Sequence, residues 1–287
     1  MKRGLIVING YFENASSAAQ WQGIKAALEA RGAAADVKKS NEISLGIRGE
    51  GVFAELPAYD FCVFLDKDVT AALMLEKLGM KLFNGAEAIR LCDDKMLTYA
   101  ALAGRGIPMP ETVASPLMYR ENDDDAFLNR VSARLGFPVV VKKCYGSMGQ
   151  GVFLAKDRRE LGELFARLRL FPHLYQKFTG KGGEDVRILT VGGKFFAAIR
   201  RVNEGDFRSN IECGGRGIAY RPSPEQIRLA EEVSAALRLS YAGVDLLTDG
   251  DKNYLCEVNS NAFFSGLQRA TGKDVAAAYA EYILQNV

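Results

Sequence analysis

The chain has 287 residues, of which 48% are hydrophobic and 25% are charged, a composition typical of globular proteins and outside the disordered range. Its formal net charge of +2 provides no general attraction to nucleic acid or membrane, so we expect neither as a partner. The five cysteines are scattered without a CxxC pair, which argues against a zinc site and a disulfide scaffold. We find no signal peptide and no apolar run of membrane-spanning length, so the sequence predicts a cytoplasmic protein.

The first part of the chain alternates between apolar strands and helices. We predict strands at residues 4–9, 34–38, 61–65 and 81–83, and helices at residues 15–31 and 68–78. The polar, glycine-bearing stretch 40–51 is predicted to be a loop. This alternation predicts a small parallel α/β domain over residues 1–90.

A helix is predicted at residues 86–104, ended by the glycines and the proline that follow. It carries Asp93, Asp94 and Lys95. From the helix alone, we interpret these three residues as a solvated charged face.

Two apolar strands joined by a glycine loop form the motif around which the chain is arranged. The strands are residues 139–143 and 152–155, and the loop at residues 146–151 carries three glycines. Because glycine has no Cβ, backbone N–H groups of this loop can approach phosphate oxygens closely, and Lys142 adds a mobile positive charge beside them. The spacing differs from that of Walker and Rossmann loops, which lead into a helix. An ordinary glycine hairpin is the alternative, and this stretch alone leaves both interpretations open.

The remaining elements are predicted to be helices and antiparallel hairpins. We predict helices at residues 123–135, 157–170, 223–239 and 273–285, a strand at 173–178, hairpins at 184–201 and 241–258, and a polar, glycine-rich stretch at 203–217. The single histidine, His173, is given no catalytic role, because a lone histidine is more often a surface or core residue.

The last hairpin carries the polar groups that a metal ion needs. Asp245 lies in one strand, and Glu257 and Asn259 lie two residues apart in the other, so they point to the same face. Hard oxygen ligands suit magnesium, and a carboxylate in an apolar strand is costly to bury unless it binds something. We favour a magnesium site over the alternative that a nearby arginine or lysine satisfies the carboxylates.

Four arginines lie between the glycine hairpin and the last hairpin: Arg187, Arg200, Arg201 and Arg208. Arginine side chains bind carboxylates and phosphates with two parallel hydrogen bonds. The alternative is a solvated face of salt bridges, which we accept for two of the four.

The order of the motifs is more specific than any one of them. LCDDK, GFPVVVKKCYGSMGQGV, LYQKF, EDVRI, RRVNEGDFRSN, AGVDLL and CEVNSN follow one another along the chain. In this order the sequence resembles the ATP-grasp superfamily, and within it the RimK-like carboxylate–amine ligases, which include the α-L-glutamate ligases. GDFRSN and the GG that follows it are the most group-specific pieces.

The resemblance implies an ATP-grasp fold that combines α/β and α+β structure. An N-terminal parallel α/β (pre-ATP-grasp) domain would cover residues 1–90. A central subdomain with the glycine-rich lid hairpin would cover 91–178, and a C-terminal subdomain with the metal site would cover 179–287. The last two are α+β subdomains that clasp ATP between them.

The resemblance also implies residue roles. Arg208 and Lys142 would be catalytic, and Asp245, Glu257 and Asn259 would hold two magnesium ions, with manganese as the alternative metal. The nucleotide would be bound by Lys95, Lys142, Gly146, Ser147, Gly149, Gly151, Gln176, Lys177, Phe178, Asp185, Arg187 and Arg208. Within that set, residues 176–178 would line the adenine and Asp185 would lie near the ribose.

The implied reaction has two steps, in which a carboxylate takes the γ-phosphate of ATP to form an acyl phosphate and an amine then displaces phosphate. We expect an amino acid such as glutamate to be added to a peptide, a protein C-terminus or a small cofactor, by a homo-oligomeric enzyme. A non-catalytic ATP-binding module and a small-molecule kinase on the same fold are the alternatives. GDFRSN counts against the kinase, and the retained metal ligands count against the module.

Two runs depart from the group's pattern near the expected acceptor site. They are SNAFFSG, which follows EVN, and IEC, which precedes the second GG.

Overall fold

The computed structural model of the chain describes residues 1–287 and every side chain except that of Glu212. The strands are β1 (Arg3–Ile8), β2 (Ala34–Lys39), β3 (Leu45–Arg48), β4 (Gly51–Ala54), β5 (Phe61–Leu65), β6 (Leu82–Phe83), β7 (Thr112–Ala114), β8 (Val139–Lys143), β9 (Val152–Ala155), β10 (His173–Lys177), β11 (Glu184–Val191), β12 (Lys194–Val202), β13 (Arg216–Ala219), β14 (Tyr241–Asp249) and β15 (Lys252–Asn259). The helices are α1 (Ala15–Glu29), α2 (Val69–Lys77), α3 (Ala86–Asp93), α4 (Lys95–Leu102), α5 (Asp125–Leu135), α6 (Arg158–Leu168), α7 (Pro224–Ala236), α8 (Ser265–Thr271) and α9 (Val275–Gln285).

The first sheet has the strand order β2-β1-β5-β6, and all its neighbouring strands are parallel. Leu5 and Val7 of β1 pack into the core beside α2, whereas Ile6 packs on the other face against Ile24 and Leu28 of α1. Burial on both faces explains why β1 and β5 are continuous apolar runs. The predicted parallel α/β arrangement of the first part of the chain is confirmed.

The predicted loop at residues 40–51 is wrong, because β3 and β4 form an antiparallel hairpin there. Two glycines weaken the strand pattern in the sequence. Gly49 takes a φ of +58° in the turn, and Gly46 packs against Phe53, whose ring would lie 2.7 Å from a Cβ at that position. Both glycines are therefore required by the hairpin and do not mark an irregular loop.

The predicted helix at residues 86–104 is interrupted, and α3 and α4 meet at Asp94. The backbone of Asp94 is extended, and its side chain accepts hydrogen bonds from the backbone N–H groups of Met96 at 2.8 Å and Leu97 at 3.1 Å. Asp94 is thus the N-cap of a new helix. The interpretation of Asp93, Asp94 and Lys95 as a solvated charged face is wrong, since the last two are buried.

The second sheet is antiparallel, with the strand order β7-β10-β8-β9, and has a core of its own. Val139 and Val141 face α5 and α6 in that core, so Val140 and Lys142 point to the opposite face of β8. His173 of β10 is buried and lies 2.7 Å from the hydroxyl of Tyr175, as expected for a core histidine.

The third sheet is also antiparallel, with the order β13-β12-β11-β14-β15. One face packs on α7, α3 and α4, and the other shares a continuous core with the first sheet, α1 and α9. The helix α8 was not predicted, and the stretch 203–217 contains a 3-10 turn at Ile211–Cys213 and the beginning of β13.

The first and third sheets therefore form one packed body, while the second sheet closes its core separately. The open face of β8 lies across a cleft from β14 and β15.

The domain boundaries at residues 90 and 178 stay predictions. Among the described residues, the helices are all too short or too polar to cross a membrane.

Candidate active site

Two adjoining cavities lie in the cleft and share the side chains of Ser147, Arg201, Asn210 and Glu257. Most of the residues assigned to nucleotide or metal line the first cavity: Lys95, Lys142, Gly146, Ser147, Gly149, Gln176, Lys177, Phe178, Asp185, Arg208, Asp245 and Glu257. Arg187 and Asn259 line the second cavity, and Gly151 lines neither of the two. Residues far apart in sequence are thus brought together around one cleft.

Lys142 projects from the end of β8 into the first cavity and is 6% exposed. Its Nζ lies 3.7 Å from the sulfur of Cys256. Burial opposes the positive charge, but Cys256, Tyr99 and the carboxylate of Glu257 outweigh it and raise the pKa of Lys142 above its ordinary value. At neutral pH the ionised carboxylate of Glu257 is the neighbouring charge that favours a protonated Lys142, as a contact to a polyphosphate requires.

Lys95, the first residue of α4, joins the glycine loop to the last hairpin. Its Nζ lies 3.1 Å from Oε1 of Glu257 and donates a hydrogen bond of 3.1 Å to the carbonyl of Gly146. Burial would raise the pKa of Glu257, but the positive charges of Lys95 and Lys142 lower it below its usual value. Glu257 is therefore ionised in the folded protein.

Two carboxylates face each other across the last hairpin, since Asp245 of β14 pairs with Glu257 of β15. Arg187 donates two hydrogen bonds of 2.7 Å to Asp245. Arg201, which is 3% exposed, donates to Asp245 at 2.8 Å and to Asp185 at 2.7 Å. Burial would raise the pKa of Asp245, but these two arginines lower it, so Asp245 is ionised as well.

Satisfaction by a nearby arginine or lysine, the alternative considered for the carboxylates, therefore describes the contacts of both. Asp245 is bound by Arg187 and Arg201, and Glu257 is paired with Lys95. A bound ion remains compatible with them, because a carboxylate has about four lone-pair directions and each arginine hydrogen bond uses one. Among the described residues, no group of three or more His, Cys, Asp and Glu side chains is placed to hold a metal. An ion would thus need the amide of Asn259 in addition to the two carboxylates.

The Asn259 amide fits that need. Its buried Nδ2 has no hydrogen-bond acceptor among the described residues. The oxygen and nitrogen of an amide can exchange places by a flip, so this position can present an oxygen to a cation. Two carboxylates and one amide oxygen form the all-oxygen donor set that magnesium prefers.

The glycine loop is held by side chains from the rest of the cleft. Arg208 donates a hydrogen bond of 3.0 Å to the carbonyl of Gly149, in addition to that of Lys95 to Gly146. Gly149 has a φ of +73°, and a Cβ there would lie 2.9 Å from the sulfur of Cys213. The loop is therefore packed against the 203–217 stretch, and this close approach requires glycine.

The residues assigned to the adenine and ribose are also used within the protein. Gln176 donates hydrogen bonds of 2.9 Å to the hydroxyls of Tyr99 and Thr112. The Asp185 carboxylate is bound by Arg201. Their contacts with nucleotide stay predictions, and so do those of Lys177 and Phe178.

The second cavity contains residues that the sequence analysis missed. Asn9 and Asp66 follow β1 and β5, and Asn261 and Arg269 come from the end of the last hairpin and from α8. The first pair had a usable signal, because ligands bind at the carboxyl ends of parallel strands. Arg269 had none, because α8 was not predicted, and Asn261 ends the quoted motif CEVNSN but was given no role.

A cleft between an antiparallel sheet with a glycine hairpin and a second sheet with paired carboxylates defines the ATP-grasp class. Residues 92–283 match the model of the family described as the RimK-like ATP-grasp domain. This match covers more than half of the chain, and the chain belongs to that family. ATP-grasp proteins generally use ATP together with Mg²⁺.

Similar proteins agree with this assignment. The chain is 35% identical over 223 residues to β-citrylglutamate synthase B of Danio rerio, covering 76% of this chain and 54% of that protein. It is 36% identical over 222 residues to a probable α-L-glutamate ligase of Halorhodospira halophila, covering 76% of this chain and 72% of that protein. The chain thus spans about half the length of the zebrafish relative.

A solved structure shows the same fold. It is the ATP-grasp ligase PsnB complexed with a phosphomimetic variant of its minimal precursor, magnesium and ADP. The TM-score is 0.70 at 18% identity, and the match covers 99% of this chain and 98% of that one. The expected combination of α/β and α+β structure in an ATP-grasp fold is confirmed.

Proposed function

We propose that the chain is an ATP-dependent carboxylate–amine ligase that forms an amide bond through an acyl phosphate. The observation that carries the proposal is the junction of the two cavities at Arg201 and Glu257. The first cavity has the lysines and the glycine loop for a triphosphate. The second, of about 310 Å³, has room for an organic acid or an amine beside the terminal phosphate.

The residues act by positioning and by charge neutralisation. Lys142 and Lys95 offset phosphate charge, and Arg208 stabilises the acyl phosphate beside the glycine loop. Asp245, Glu257 and Asn259 would hold the magnesium ions, of which we propose two, with manganese as a substitute. Bound magnesium supplies neutralisation of the phosphate charge during transfer.

We propose the addition of an amino acid such as glutamate to a peptide, a protein C-terminus or a small cofactor. The relatives support this class, since one is a β-citrylglutamate synthase and another a probable α-L-glutamate ligase. A cytoplasmic location, a homo-oligomeric state and the lack of nucleic-acid partners remain part of the proposal.

One experiment separates the ligase from its two alternatives. ADP release is measured with carboxylic acids and amino acids, and hydroxylamine is added to trap an activated acyl group as a hydroxamate. A ligase releases ADP only with a carboxylate and gives a hydroxamate. Phosphorylation of a hydroxyl without hydroxamate would establish the kinase, and nucleotide binding without ADP release would establish the non-catalytic module.

A matched pair of variants connects the result to the site. Arg208→Ala is expected to lose hydroxamate formation and retain ATP binding. Arg216→Ala, which removes an exposed arginine paired with Glu204 at 3.2 Å nearby, is expected to behave as the unsubstituted protein.

A further inference from the structure

The charged side chains of the second cavity divide into those with ion-pair partners and those without. Six line it: Asp66, Lys67, Arg187, Arg201, Glu257 and Arg269. Four of them form ion pairs: Lys67 with Asp93 at 2.7 Å, Arg187 with Asp245 at 2.7 Å, Arg201 with Asp245 at 2.8 Å, and Glu257 with Lys95 at 3.1 Å. Among the described side chains, one negative and one positive remain without an ion-pair partner, Asp66 and Arg269.

Asp66 is 7% exposed and has only neutral partners among the described residues. The Asn9 amide donates to both carboxylate oxygens at 3.1 Å, and the backbone N–H of Lys67 donates at 2.7 Å. A buried carboxylate without a cation is costly, so a ligand cation at this position would be strongly favoured.

Arg269 lies in the last turn of α8 and is exposed. Within the part of the chain whose side chains are described, its guanidinium takes part in no ion pair or hydrogen bond. A guanidinium that is free at the wall of a cavity is suited to bind a carboxylate with two parallel hydrogen bonds.

Asn261 adds an acceptor beside Asp66. Its Nδ2 donates a hydrogen bond of 2.9 Å to the carbonyl of Leu65, the residue before Asp66. Its Oδ1 is buried and has no donor among the described residues, and Asn261 is one of the residues that line the cavity. An ammonium has three N–H groups, so a carboxylate and an amide oxygen side by side complement it.

We propose that Asp66 and Arg269 select the amine substrate as a free amino acid, with its ammonium at Asp66 and its carboxylate at Arg269. This inference rests on the proposed ligase function and assigns the residues that give the amine its specificity. The opposite signs of the two unpaired charges match a zwitterion, and neither a simple amine nor a simple acid satisfies both. Asp66 also disfavours the carboxylate to be activated, because like charges repel.

The test uses two nucleophiles with the full chain. One is the most active of the twenty standard amino acids in ADP release, and the other is hydroxylamine, which carries no carboxylate. Asp66→Asn and Arg269→Gln are each expected to raise the KM for the amino acid roughly tenfold or more, the scale of a charge-assisted contact. Hydroxamate formation with hydroxylamine, which has no carboxylate for Arg269 to bind, should be unchanged in Arg269→Gln.

A methyl ester of the same amino acid tests the role of Arg269 directly. The unsubstituted protein should prefer the free acid over the ester, and Arg269→Gln should lose most of that preference. Arg228→Gln, an exposed arginine of α7 paired with Glu232 at 2.8 Å, is the control and should retain it.

Each outcome has a distinct meaning. Hydroxamate formation without activity of any amino acid, or an unchanged KM in Arg269→Gln, overturns the inference and leaves the ligase standing. Loss of hydroxamate formation in Arg269→Gln also overturns it, because the cavity would then bind the activated acid. Failure of the unsubstituted protein to form any hydroxamate contradicts the proposed ligase function itself.

Discussion

Replacement of Arg201 by methionine is expected to destabilise the fold strongly. Arg201 is buried in β12 and holds the carboxylates of Asp185 and Asp245. Methionine retains much of the side-chain volume and removes the charge. Asp245 would keep Arg187, but Asp185 would have no remaining partner among the described side chains.

The magnitude follows from the charge left behind. Removing one partner of a buried ion pair costs about 3–5 kcal/mol, because the other charge stays buried without compensation. For a protein of this size, that loss corresponds to a fall in melting temperature of roughly 6–20 °C. The adjacent Arg200 is the control, because it is 46% exposed and pairs with Glu184 at 3.3 Å on the opposite face of β12. Arg200→Met should cost less than about 1 kcal/mol.

Thermal unfolding followed by circular dichroism, with urea titration as the second measurement, compares the two variants. The double variant Asp185→Asn/Arg201→Met should be more stable than Arg201→Met alone, since it removes the isolated charge. Equal stability of Arg200→Met and Arg201→Met would refute the reasoning, and so would a double variant that is no more stable than the single one.

Three further predictions concern the nucleotide. Lys142→Ala should raise the dissociation constant for ATP about 10- to 150-fold, the equivalent of the ~1.5–3 kcal/mol of a charged hydrogen bond, while its neighbour Lys143→Ala should not. Calorimetric titration measures both, and equal affinities would contradict the assignment. Glu257→Gln should abolish ADP release without changing the circular dichroism spectrum, and normal turnover would exclude its role at the metal. Amide exchange at residues 146–151 should slow when a nonhydrolysable ATP analogue and magnesium are added, and an unchanged rate would show that the loop is not a lid.

The glycine hairpin is the part of the fold that the sequence defined best. Its strands, Val139–Lys143 and Val152–Ala155, have the predicted limits, because each signal is local: an apolar run, a glycine turn and a second apolar run. Asp245 and Glu257 lie on the predicted strands, but the regular register that runs from Asp249 and Lys252 would place Cys256 opposite Asp245. A register shift between Asp245 and Leu246 brings Glu257 there instead. The strands of both hairpins were therefore predictable before any tertiary contact was known, whereas the register that pairs the two carboxylates was not.

Tertiary contacts determine the features that the sequence analysis left open or predicted wrongly, namely the helix break at Asp94 and the partners of two arginines. Asp94 has the same local sequence whether it continues a helix or caps a new one, and its burial depends on residues distant in the chain. Sequence placed Arg187 and Arg201 in a basic cluster but could not show that both bind Asp245. A one-dimensional pattern predicts which face a side chain lies on, but not which partner it meets there.

The contacts of the glycine loop lead to one further step. Lys95 and Arg208, both predicted to bind phosphate, donate hydrogen bonds to the loop carbonyls of Gly146 and Gly149. Lys95 has three N–H donors and Arg208 has five, so each can bind phosphate while it still donates to the loop carbonyl, and bound nucleotide would then favour this position of the loop. Nucleotide affinity and loop position are then two measurements of one equilibrium. A change that weakens the carbonyl contacts without touching the phosphates would alter both together.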